Sequence, residues 1–427
     1  WVYFPSVNGS FVFSDAFNLN QGALSFGKIR ASYGQAGRLP RKYATNTYYS
    51  SQAVADGWTT GLVYPINGQQ GFFAGGLGNA NLKPEITSST DIGAELKFFK
   101  GRIGIDFTYY NSKSKNLLLD VPLASSTGYG SQYTNAASIT NHGIEVILNI
   151  SPIQTKSFTW DITANWSMNR SLVTNLGKGV QTLFLGGFSN GGINAVAGKP
   201  YGQIYGIGYV KDTKGNTIIN DDKNDAFYGY PIVDANSRAL GDPNAKWIGG
   251  INNKFTYKSF HFSFLFDTRQ KFDMWNGTRG AMVNFGTAKE TELRGQSKVF
   301  EGVPGHLDAN GAIVETTEKN GVSVKPGQAW YKGGGSGFSV NEPFVEHVSF
   351  WKLREVSLGY SINFEKIKGS KIIKGIDFSL VGRNLLLFTN YRGVDPETSL
   401  AGGGALGIDY FNNPSTRAFG MNVKFNF

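Results

Sequence analysis

The sequence predicts an all-β protein, an antiparallel transmembrane β-barrel, on three observations. In segment after segment the apolar residues fall on every second position, the spacing at which strand side chains share a face. The 427 residues include 56 Gly against 14 Pro, with 14% aromatic and only 17% charged residues, and Gly, Asn, Ser and Thr separate the aromatic and β-branched runs. The connections between strands alternate between short and long, as the turns and loops on the two sides of an outer-membrane barrel do. No stretch approaches the roughly 18–20 consecutive apolar residues of a spanning helix, a test that alternating barrel strands do not meet either.

Taken in order, strands are expected near 5–17, 26–37, 86–100, 102–114, 138–151, 157–171, 245–257, 259–270, 345–364, 374–389 and 415–427. In 86–100, Ile92, Ala94, Leu96 and Phe98 oppose Asp91, Gly93, Glu95 and Lys97. In 102–114, Ile103, Ile105, Phe107 and Tyr109 alternate with Gly104, Asp106 and Thr108. Phe158, Trp160, Ile162, Ala164, Trp166 and Met168 share a face of 157–171, and Phe260, Phe262, Phe264 and Phe266 share one of 259–270. The run 345–364 changes phase: Trp351 and Leu353 have one parity, Val356, Leu358 and Tyr360 the other, so a β-bulge near Arg354–Glu355 is expected to restore the facing. The last run places Phe419, Met421, Val423, Phe425 and Phe427 on one face.

The connections at 100–101 and 258–259 are tight turns, and 152–156 and 365–373 are modest. Those at 38–85, 115–137, 172–244, 271–344 and 390–414 run from roughly twenty to over seventy residues, beyond what compact soluble domains use. Eleven strands is an odd number, and an isolated sheet would leave two open edges in lipid, where unpaired backbone groups cost several kcal/mol each. The expectation is that residues 1–427 are the C-terminal part of a larger barrel. The opening WVYFPSVNGS has no basic segment followed by an apolar one, so no signal peptide is expected there.

With no cysteine, disulfides and thiolate metal sites are excluded. The net charge of +10 raises nucleic acid as a partner, but the Lys and Arg are scattered with no dense basic run, so none is expected. Outer-membrane lipid suits the same charge.

Six ordered blocks resemble the C-terminal half of SusC/RagA-like TonB-dependent outer-membrane transporters: KIRASYGQAG (28–37), NLKPEITSSTDIGAEL (81–96), TNAASITNHGIEVIL (134–148), GDPNAKWIGGINNKFTYKSF (241–260), FVEHVSFWKLREVSLGY (344–360) and GRNLLLFTNYRGVDPE (382–397). The resemblance implies a multi-pass protein of a Gram-negative outer membrane and about eleven strands of a 22-stranded barrel filled by a plug. It further implies import of a large nutrient, glycan or oligopeptide, driven through TonB, with a SusD-like surface lipoprotein over the barrel. The plug, the TonB-contacting segment and the upstream half of the barrel would belong to sequence preceding these residues. No covalent chemistry is implied. The other readings are a non-transporting barrel acting as adhesin or surface receptor, and a membrane-embedded hydrolase.

Several motifs bear on these readings. Aromatics of the long loops, Trp58, Tyr64, Phe72, Phe73, Trp275, Trp330 and Tyr331, are candidate substrate contacts, because flat rings stack on sugars and pack against peptide side chains; packing of the loops against one another explains them as well. Arg354, Glu355, Asp377 and Arg383 are a candidate lumenal charge network against the plug. In loop 211–227, Asp212, Asp221, Asp222 and Asp225 are hard oxygen ligands that could hold Ca²⁺, although the spacing of an EF-hand is missing and Asx-turns explain the same residues. GGINAVAGKP (191–200) misses the spacing of a phosphate-binding loop by one residue and has Pro200 where Ser or Thr would hold magnesium. His261 and Ser263 share a strand face, the pair a hydrolase would need, but polar lumen-lining residues predict the same pattern.

Overall fold

The computed structural model describes residues 2–19, 22–51, 53–54, 62–63, 72–177, 179–188, 191–316, 318–364, 372–400 and 406–427. Among these residues one sheet, to which three short loop strands also pair, has eleven strands on its antiparallel path in chain order: β1 (Ser6–Val12), β2 (Leu24–Arg38), β3 (Glu85–Phe98), β4 (Ile103–Pro122), β5 (Ser131–Gln154), β6 (Phe158–Asn175), β7 (Trp247–Tyr257), β8 (Phe260–Asn276), β9 (Val345–Asn363), β10 (Gly375–Thr389) and β11 (Ala418–Asn426). The count and nearly all positions are those the alternation predicts. Among the described residues β1 and β11 each pair on one side only, so the barrel is not closed.

The two faces separate by chemistry. Ile92, Phe107, Phe262, Trp351, Leu358, Tyr360, Leu380 and Phe388 are exposed on one face, and in β11 Phe419 is 80% exposed. On the other face polar groups satisfy one another across strands. Arg30 is 2.6 Å from Asp106, Lys28 is 2.7 Å from Glu95, and Ser151 donates to Asp161 at 2.6 Å. An apolar exterior around a polar interior is the arrangement of a barrel in lipid. One polar residue breaks the pattern: Asn253 stands on the apolar face between its ladder partners Ile162 and Phe264. The Trp160 indole N–H donates to its Oδ1 at 3.1 Å, so this amide oxygen does not face lipid unpaired.

Two expectations need correction. The first strand ends at Val12 rather than continuing to 17, because Phe13–Ala16 turns as a short helix. Phe13 packs where Gly27 leaves room, since a Cβ on Gly27 would lie within 3 Å of its ring. The connection 115–137 is not a long loop. Leu117–Pro122 pair with Ser131–Ala137 as an extended hairpin, with 123–130 as its tip. The ladder shifts register at Asn116, which has φ 58°, and that bulge interrupts the alternation that would have marked the extension. Leu118, Ala136 and Ala137 are buried there, and Ala137 packs with Val173, Leu176 and Leu183.

The loops on the hairpin side carry structure of their own. Thr182–Phe188, Gly191–Val196, Gln203–Tyr209 and Val233–Gly241 form a four-stranded antiparallel sheet, so GGINAVAGKP is largely a strand and not a phosphate cradle. Beyond β8 comes the helix Gly277–Phe285. Asn276 caps it by accepting from the Arg279 N–H at 2.9 Å, and Gly286 ends it in the left-handed conformation.

Candidate functional site

The expected bulge is present. Leu265 and Phe266 of β8 pair with Glu355 and Leu353, leaving Arg354 as the extra residue of β9. Leu353 and Val356 thereby stay on the apolar face, while Arg354 and Glu355 both turn inward.

Arg354 is the centre of an ion cluster. Its Nε and Nη2 donate to Asp267 Oδ2 at 2.9 and 2.6 Å, and Nη1 and Nη2 donate to the two carboxylate oxygens of Glu397 at 2.9 and 2.7 Å. Lys352, one inward position above, donates to Asp395 Oδ2 at 2.9 Å and to Glu397 Oε2 at 2.8 Å. The Lys352 side chain is 3% exposed and that of Asp395 1%. Desolvation pushes the Glu397 carboxyl up, but hydrogen bonds from Arg354 and Lys352 outweigh it and hold the group at about 2.

Asp395 and Glu397 come from the segment that follows β10, so the chain beyond Thr389 turns back along the inner wall. Tyr391 anchors the return, buried with Phe272, Met274, Val348 and Phe350 and donating to Asp409 at 2.6 Å. Burial and the neighbouring Asp409 raise its phenol. The cluster carries three carboxylates against the two cations Lys352 and Arg354, with half-exposed Arg269 a looser 3.9 Å from Glu397. Asp267 Oδ1 is buried and makes no hydrogen bond.

The four residues marked by sequence as one network are therefore divided. Arg354 joins Asp267 and Glu397. Glu355 and Arg383 pair separately at 2.9 Å on an exposed stretch, and Asp377 accepts from Asn426 at 2.9 Å, far down β10. Asp267, Lys352, Asp395 and Glu397 were missed. The available signal was Lys352 itself, a cation at an inward position between Trp351 and Leu353, with Asp395 and Glu397 closing the last resemblance block.

Of the aromatic candidates, Trp58 and Tyr64 lie outside the described residues. Phe72 and Phe73 begin the strand Phe72–Leu77. Trp330 is buried among Tyr209, Tyr230 and Phe300, with ring centroids 6.3, 4.9 and 5.0 Å away. Tyr331 is half-buried beside it, its hydroxyl donating to the Glu290 carbonyl at 3.4 Å. Trp275 is 4% exposed and stacks parallel to Tyr410 at 6.4 Å.

In 211–227 the carboxylates cap separate turns. Asp212 accepts from the N–H groups of Lys214 and Asn216 at 2.8 and 2.7 Å, Asp222 from Asn224 at 2.9 Å, and Asp225 from Phe227 at 2.7 Å. Asp221 meets His306 at 2.9 Å. Among the described residues no three His, Asp or Glu converge as a metal site would need. His261 Nε2 lies 3.1 Å from Ser361 and Nδ1 3.4 Å from Thr256, and no hydrogen bond joins it to Ser263.

An open antiparallel barrel wall with a lipid-type exterior, a charged interior and folded loops on one side defines a segment of an outer-membrane β-barrel. Residues 1–200 match the family described as TonB dependent receptor-like, beta-barrel. The whole chain aligns with a TonB-dependent receptor of Formosa agariphila, 28% identical over 455 residues and 42% of that protein, and with the TonB-dependent receptor SusC of Bacteroides thetaiotaomicron, 26% identical over 450 residues and 40% of that protein. The RagAB peptide transporter structure superposes with a TM-score of 0.71 at 21% identity, over 99% of this chain and 43% of that one. Residues 1–200 match that family, the whole chain is similar to TonB-dependent receptors, and it spans less than half the length of these relatives.

Proposed function

We propose that residues 1–427 are the C-terminal part of a TonB-dependent importer in the outer membrane of a Gram-negative bacterium. An upstream half would complete the wall and supply the plug, TonB would drive the plug, and a SusD-like lipoprotein would cover the folded loops. The cargo would be a large nutrient, an oligopeptide or a glycan. The unpaired edges of β1 and β11 and the partial coverage of every relative support a larger barrel.

The observation that carries the import reading is the Arg354 cluster. It has one more carboxylate than it has closely paired cations, an excess of negative charge on the inner wall. A plug filling the lumen would bring N–H or cationic groups to that wall, and its movement would break those bonds. The test is uptake of labelled oligopeptides and oligosaccharides by cells carrying the full-length protein. Import predicts accumulation that disappears without TonB, and reduced accumulation with Arg354→Ala at unchanged amounts of assembled barrel. Surface binding with no TonB-dependent uptake would instead make the protein an adhesin or receptor.

A further inference from the structure

We propose that the pocket between Phe188, Trp275, Phe338 and Tyr410 is a subsite for one apolar side chain of an extended oligopeptide, an inference that deepens the import reading and rests on it. Four separate stretches of chain converge there on a cavity of about 170 Å³. Phe188 meets Tyr410 edge-on at 4.6 Å and Trp275 at 6.1 Å, while Trp275 and Tyr410 are parallel. At the rim Phe338, 39% exposed, meets Phe285, 65% exposed, at 5.9 Å, so apolar surface extends out of the pocket into solvent.

Polar groups are few. The Asn341 amide also lines the cavity, but its Oδ1 already accepts from the Ile207 N–H at 2.9 Å. The Trp275 indole N–H is buried without a partner. A sugar ring can stack on one aromatic face with its hydroxyls directed to the sides, but a small cavity with rings on several sides would leave most of those hydroxyls unpaired, which a binding site strongly rejects. An extended peptide brings an apolar side chain for the walls and keeps its backbone polar groups outside the small cavity. The small volume suits a single branched aliphatic or ring side chain and excludes a disaccharide.

The test uses the assembled full-length protein and two labelled glycine–serine oligopeptides, identical except for a central leucine in one, compared by fluorescence anisotropy. The leucine peptide is expected to bind about tenfold tighter. Phe338→Ala should cut that advantage to about threefold or less and leave the serine peptide unchanged. Equal affinities, or an advantage that survives both Phe338→Ala and Tyr410→Ala in barrels that assemble normally, would overturn the subsite. A neutral glucan oligosaccharide that binds tighter than both peptides and is lost in the same variants would overturn it too. TonB-dependent uptake, measured separately, reports on import alone: uptake without leucine discrimination removes the subsite and leaves the import reading standing.

Discussion

Lys352 keeps a charged ammonium in a nearly dry place because two carboxylates from a returning loop meet it there. Removing one partner of such a buried pair leaves the other uncompensated and costs about 3–5 kcal/mol. Lys352→Met should therefore release the 390–400 segment, seen as faster amide hydrogen exchange there, and adding Asp395→Leu should recover much of the protection. Equal exchange in wild type and the single variant would show that the pair does not hold the loop. Glu397 gives the same contact a pH limit. Its folded value, about 2, lies below the ordinary 4.5, so its contribution is complete above about pH 4.5 and is lost as the pH falls toward 2. Exchange of the segment should be flat from neutral pH to about 4.5 after correction for intrinsic rates, and should then rise. In Glu397→Gln it should already be high at neutral pH. Sequence alone marked Arg354 and missed its partners, since a loop folding back on a wall leaves no periodic trace.

At the scale of elements, the bulge in β9 was legible because two apolar parities meet within one strand and only an inserted residue reconciles them with a single lipid face. Deleting Arg354 should regularise the β8–β9 ladder and keep Leu353 and Val356 facing lipid, so the barrel should assemble and remain heat-modifiable on gels while losing the ion cluster. Deleting Val356 instead would turn Ser357, Gly359 and Ser361 outward, and assembly should fail. Similar assembly of the two deletions would refute the assignment of faces. The hairpin at 117–137 was misread because the polar stretch 111–116 and the bulge at Asn116 separate Leu117, Leu119 and Val121 from the apolar run that marks the strand. The loop sheet and the helix Gly277–Phe285 were not read at all. Their apolar residues pack among several loops at once, so neither a two-residue nor a helical period dominates.

For the whole molecule, strand number, order and facing came through from sequence because lipid on one side and a polar lumen on the other impose a period of two on every strand. The loops answer to no such constraint, which is why their aromatics could be named but not sorted. Trp330 proves to be the centre of one loop core, and Trp275, packed in another, also lines a cavity.

The central claim is that the apolar face of this wall meets lipid and its polar face meets the lumen. Residues 1–427 contain no cysteine, so single cysteines placed along 351–361 of β9 can be spin-labelled in the full-length protein in membranes once any cysteine of the upstream part is replaced by serine. Collisions with oxygen, which concentrates in lipid, are then compared with collisions with a water-soluble nickel complex. The account predicts oxygen maxima at Trp351 and Leu353, a slip of one residue at Arg354–Glu355, and maxima again at Val356, Leu358 and Tyr360. Maxima at Ser357, Gly359 and Ser361, or no period of two, would contradict it.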